Sequence, residues 1–220
     1  MNRRTSAAVC LAASPLLVTL SHYLWPAHSE GTQTQQIHAA GAHPDAWTAA
    51  TVVETVGWLL LLPALIAFWG HVRGRARVLI MVGVGLSVAG VFGYFGAGIM
   101  NLVTIELGRR HRDAEMASLV HALKHDSALF WLLVAPLLLG TLALVLVFAG
   151  LSHAGWIGWW APIGVLIALV ASQALSGSEN ALLLTAAFAP MTAACLAAAR
   201  RLAAQATDST PAQGRTPVHV

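Results

Sequence analysis

Residues 47–69 read WTAATVVETVGWLLLLPALIAFW, twenty-three positions with a single charge, Glu54. A helix crossing the hydrocarbon of a bilayer needs about 20 mostly apolar residues, so this stretch is expected to span a membrane. Working outward, further apolar runs lie at about 5–25, 78–101, 127–150, 156–175 and 181–199, which makes six spans. The expected fold is all-α: a polytopic membrane helix bundle of six transmembrane helices, forming one domain over residues 1–200. Residues 201–220, with Thr, Ser, Pro, Gln and Gly and no apolar period, are expected to be a disordered cytoplasmic tail.

Composition agrees with that expectation. Of 220 residues, 57% are hydrophobic and 10% charged, against roughly one quarter charged in a soluble domain. Twelve Lys and Arg outnumber nine Asp and Glu, but they lie in short breaks between apolar runs and form no basic face, which argues against a nucleic-acid partner. All the basic residues but Lys124 are Arg; with so much Ala, Leu, Val and Gly, that is the composition expected of a GC-rich bacterial genome. Cys10 and Cys195 lie within apolar runs and read as small buried hydrophobes, neither a disulfide framework nor a metal cluster. Arg3 and Arg4 ahead of an apolar run have the look of a signal peptide. The run continues to Tyr23 and Trp25 without a small-x-small exit before Pro26, so a retained span is expected.

Arg3, Arg4, Arg73, Arg75, Arg77, Arg200, Arg201 and Arg215 fall on one side of the six-span arrangement, and Arg109, Arg110, Arg112 and Lys124 on the other. The positive-inside bias then predicts a plasma-membrane protein with both termini cytoplasmic. Residues 26–46 and 102–126 become outer connections, and within the second, Met116, Leu119, Val120 and Leu123 predict an amphipathic helix with Asp113 as its N-cap. A weak internal repeat accompanies this topology. Trp58 begins WLLLLP and Trp131 begins WLLVAP, each after an acid, Glu54 or Asp126, and the sixth span carries Glu179 and Pro190. Three helical hairpins of common origin would explain it.

Gly85, Ala89, Gly93 and Ala97 recur every fourth position, a ladder that lets a neighbouring backbone approach closely in lipid. Ser87, Gly90, Tyr94, Gly98 and Asn101 form a second stripe on the same span, of the kind that borders a cavity.

Glu54 is the most informative residue. Asp126 and Glu179 begin their spans, where a carboxylate meets the helix dipole favourably. Glu54 lies two turns further in, at a depth where an ionised side chain costs about 2.5 kcal/mol or more unless protonated, paired or hydrated. Thr48, Thr51, Thr55 and Trp58 share its helical face. Glu54, Asp126 and His22 are therefore the candidate catalytic groups, with Trp58, Tyr94, Asn101, Phe130 and Trp131 as candidate substrate-binding residues. Trp25 and Trp47 fit an outer interfacial belt, and Trp156, Trp159 and Trp160 an inner one. His121 and His125 share a helix face at a spacing that can hold a metal. No HExxH glutamate flanks them, and no metal or other cofactor is expected. Phosphate loops, a GxSxG elbow and paired mid-span haem histidines are missing as well.

An acid in an apolar pocket suits protonation of an alkene or epoxide in a lipophilic small molecule, and aromatic faces stabilise the resulting cation by about 2 kcal/mol or more when desolvated. In size, helical membrane architecture and isolated acids among aromatics, residues 1–200 resemble the small integral-membrane terpene cyclases. That resemblance implies an enzyme closing a prenyl (isoprenoid) chain. It rests on features, not a motif; the fungal members' usual span count is one greater, and no catalytic residue is carried over. The alternative is a small proton-coupled transporter or accessory protein with Glu54 as protonation site, a homo-oligomer such as a dimer being its natural form. Against it, the inner half offers little polarity beyond Ser14, Thr19, Thr141 and Thr192.

Overall fold

A computed structural model describes residues 3–25, 33–110, 117–118, 121–122, 127–175 and 180–208. Seven helices account for nearly all of these: α1 (Arg3–Leu24), α2 (Gln33–Ala42), α3 (Pro44–Trp69), α4 (Gly74–Arg109), α5 (Ser127–His153), α6 (Trp160–Ala174) and α7 (Ala181–Asp208). No strand occurs among the described residues. Most of the expected amphipathic segment near 113–126, including Asp126, and residues 209–220 lie outside them.

Five helices are long and apolar enough to cross a membrane: α1, α3, α4, the stretch Ala135–His153 of α5, and Ala181–Gln205 of α7. Phe92 and Leu182, each 71% exposed, and Leu132 at 69% belong to a broad apolar surface that a water-soluble domain would not leave open. Pro15, Pro63, Pro136 and Pro190 all sit inside helices, as membrane helices tolerate when neighbours satisfy the freed carbonyls. The chain is a multi-pass helical membrane protein.

The expected fifth span, 156–175, is shorter than foreseen. Residues 156–159 do not join the helix, because Gly155 takes φ +74° and Ser152 Oγ donates to Gly158 O at 3.1 Å, closing a turn. What remains is α6, 15 residues, or about 22 Å at 1.5 Å per residue, short of the roughly 30 Å of hydrocarbon. In the other direction, α7 extends eight residues into the segment expected to be disordered. Residues 201–205 are good helix formers; Leu202 is fully buried, and Arg4 Nη1 donates to Gln205 O at 2.9 Å.

Six of the helices close a ring in chain order. α1 packs on α3, α3 on α4, α4 on α5, α5 on α6, α6 on α7, and α7 returns to α1. The core between them is apolar, with Phe68, Phe148, Leu65, Ile80 and Met191 among its buried side chains. α2 lies outside the ring against the far end of α4. There Gly41 and Gly108 meet backbone to backbone, leaving no room for a Cβ on either.

The α4–α5 seam corrects the expected ladder. A Cβ on Gly83 would stand 2.6 Å from Val147 Cγ2, one on Gly93 2.9 Å from Leu137 N, and one on Gly90 would overlap Gly140, whereas Gly85 has nothing within 4 Å. Four-residue steps advance about 400°, so three of them swing about 120° off any one face. Seven-residue steps lag by only about 20°. Gly83 and Gly90 therefore stay in register with α5, and Gly93 joins them, while the lower end of the four-residue ladder rotates away.

Candidate functional site

Trp47, Thr51, Glu54 and Trp58 follow one another on α3 at spacings of four, three and four, the geometry of a single helical face. Trp47, Thr51 and Trp58 are buried and Glu54 is half-buried. This face is turned toward α1 and α4. A Cβ on Gly57 would touch Val18 and Ser14 of α1, and one on Gly98 of α4 would lie 2.9 Å from Thr55 Oγ1.

The Glu54 carboxyl group has the indole N–H groups of Trp58 and Trp25 as its side-chain donors. The Trp58 N–H faces the carboxyl group without forming a hydrogen bond, and its buried Nε1 has no partner. Trp58 stacks on Tyr94 of α4 with centroids 4.2 Å apart and planes 12° from parallel. Trp25, one residue past α1 with its backbone N–H donating to Ser21 O, meets the edge of Trp47 at 4.8 Å and 90°. Together with Ala39 and Ala40 of α2 and Ile105 of α4, these two indoles form an apolar cap over the Trp47 end of the site.

On the other side of the Trp58–Tyr94 pair lies a narrow open crevice, with a cavity volume of about 20 Å³, between α3, α4 and α5. Leu61, Leu65, Val91 and Leu144 make its walls, with Ser87 as the polar exception. Ser87 Oγ is already committed to Gly83 O at 2.9 Å. Three members of the second stripe, Ser87, Gly90 and Tyr94, thus border a cavity.

The remaining candidates are dispersed. His22 stacks on Phe188 of α7 at 5.3 Å, and its buried Nε2 has no partner. Asn101 is half-buried one turn beyond Gly98. Trp131 is 61% exposed and does not line the crevice. It stands nine residues, half a turn of helix phase, from Gly140, the α5 residue that meets α4. Asp126 and the side chain of Phe130 lie outside the described residues, as do His125 and the side chain of Gln173. Among the described residues no group of three His, Cys, Asp or Glu is placed to hold a metal.

Trp25 and Trp47 are the residues whose role the sequence misjudged. Both read as belt residues, yet Trp47 is 5% exposed and Trp25 reaches Glu54. The signal available for Trp47 was its distance of seven residues from Glu54. Trp159 and Trp160, 56% and 50% exposed, do have the exposure of belt residues, while Trp156 turns inward onto Phe68 at 5.7 Å. No protein-family model, curated protein or solved structure matches the chain.

Proposed function

We propose that the chain is an intramembrane enzyme that transfers a proton from Glu54 to a lipophilic small molecule, initiating cyclisation of a prenyl chain. The observation that supports it is the placement of Glu54 between two indole donors, beside a stacked Trp58–Tyr94 pair at the head of an apolar crevice. One carboxyl oxygen accepts the Trp25 indole N–H and the other carries the acidic proton. That proton adds to an alkene or epoxide, and the carbon cation formed travels along aromatic faces that attract it. The crevice walls, being hydrocarbon, offer the chain an apolar lining once helix movement widens the crevice, and exclude water that would quench the cation. Loss of a proton closes the sequence, with His22, whose buried Nε2 is unpartnered, as the candidate base although it stacks on Phe188 of α7 and does not line the crevice. The arginine-rich end, with Arg73, Arg75 and Arg77, is assigned to the cytoplasm, so the site opens in the outer half of the plasma membrane.

The test is Glu54→Gln, which keeps shape and hydrogen bonding but removes the titrating proton. Cells making the wild type and fed farnesylated aromatic precursors should accumulate an isomer of equal mass and altered retention. The variant should insert normally and make none. Full conversion in Glu54→Gln, Asp126→Asn and the double variant would exclude both acids as donor. Uptake that depends on pH, with no new compound, would point to a proton-coupled carrier instead.

A further inference from the structure

Along the α3 face, Trp47 Nε1, Thr51 Oγ1 and Trp58 Nε1 are buried without a hydrogen-bond partner, their residues only 5%, 3% and 6% exposed. His22 Nε2, on the neighbouring α1, shares that condition. A buried polar group left unpaired is costly, and native structures keep few of them. Here three fall on one face of one helix, on either side of a carboxyl group.

The chemistry of these atoms selects their partner. The two indoles only donate, the ionised carboxylate only accepts, and the Thr51 hydroxyl does both. Hydrocarbon satisfies none of them. A metal cation accepts nothing from an indole, and an anion would face Glu54 with no Lys or Arg on α3 to offset it. Water accepts from the indoles and donates to the carboxylate, and buried polar atoms without protein partners are where ordered water is found. The spacing suits it. Trp47 and Thr51 are about 6 Å apart along the helix axis, and Thr51 and Glu54 about 4.5 Å. The Trp58 N–H, facing the carboxyl group beyond bonding geometry, is a further place for a bridging water.

We infer that buried waters along Trp47, Thr51 and Glu54 form a hydrogen-bonded file through which Glu54 regains its proton, with Thr51 as the positioning residue. The inference rests on the reading of Glu54 as proton donor. After Glu54 has given its proton to substrate, the adjacent water gives one to the carboxylate and takes one from the Thr51 hydroxyl. The hydroxyl is restored by the water on its Trp47 side, which is restored in turn from solvent. Each bond broken to hydrogen is matched by one formed, and no electron is transferred. The cap of Trp25, Trp47, Ala39, Ala40 and Ile105 narrows the Trp47 end of the file, so that only its outermost water exchanges with solvent and the crevice beyond Trp58 stays dry.

Infrared spectroscopy of the full chain in lipid nanodiscs tests this without turnover. The protonated carboxyl stretch of Glu54 is identified as the band lost in Glu54→Gln, and its shift on transfer to heavy water reports proton exchange. Thr51→Val, equal in shape but without the hydroxyl, should slow that exchange by about tenfold or more. Thr51→Ser should restore it, which a packing role for the methyl would not do. Trp47→Phe is the second variant, removing an N–H that anchors the file, and should slow exchange in the same direction. Exchange at the wild-type rate in both Thr51→Val and Trp47→Phe would overturn the water file and leave the proton-donor reading intact. A wild-type spectrum with no band sensitive to Glu54→Gln would instead overturn the proton donor itself, and the file with it.

Discussion

Toward α5, helix α4 presents Gly83, Gly90 and Gly93 to backbone; toward α3 it presents Tyr94 to an indole ring and Gly98 to a threonine. On the first side two helices approach until a single Cβ would not fit, and what stabilises them is close packing of atoms that lipid cannot match. On the second, stacked aromatic rings hold the helices at arm's length. Space opens below the rings as a crevice, and polar atoms above them go without protein partners. One helix thus serves as a rigid spine on one face and as the wall of a chemical site on the other. Under the proposed function, stability and activity draw on different residues, so they should respond to different substitutions.

The largest effect should come from the spine. Gly90→Leu drives a side chain into Gly140, and overpacking of this kind costs about 3 kcal/mol or more. A lowered thermal midpoint in detergent is expected, and an unchanged midpoint would mean that α4 and α5 do not meet there. A smaller effect should follow Trp58→Phe on the opposite face. The ring that stacks on Tyr94 is retained while the N–H facing Glu54 is lost, so stability should fall by about 1 kcal/mol or less. A loss as large as that of Gly90→Leu would erase the distinction between spine and site. The smallest should be Gly85→Leu. Gly85 has open space around it, and the midpoint should move by no more than about 0.5 kcal/mol equivalent. A collapse there would restore the four-residue ladder.

Much of the site was legible because its signals are local. Glu54 is conspicuous as the lone charge within residues 47–69, and its neighbours Thr51 and Trp58 follow from helical spacing alone. Tyr94 could be singled out as an aromatic inside a span. Trp25 could not be assigned to Glu54, because the contact joins helices whose rotation about their own axes no local pattern fixes. Trp131 failed for the same reason in reverse: an aromatic near an acid in sequence, it turned out to sit on the face of α5 away from α4.

By itself, the sequence determined that this is a helical membrane protein, roughly where its long apolar helices lie, and that one of them carries a lone carboxyl group within its apolar run. Length and apolarity suffice for those conclusions, since lipid imposes them on each helix separately. Only the tertiary structure decided which face of each helix meets which neighbour: Gly83 and Gly90 in place of Gly85, Trp25 drawn to Glu54, and α2 locked to α4 through Gly41 and Gly108. In water, the apolar stripe of a helix announces its buried face. In lipid the outward face is as apolar as the inward one, so the choice falls to the interlocking of backbones and rings, which is a property of pairs of helices and not of any one of them.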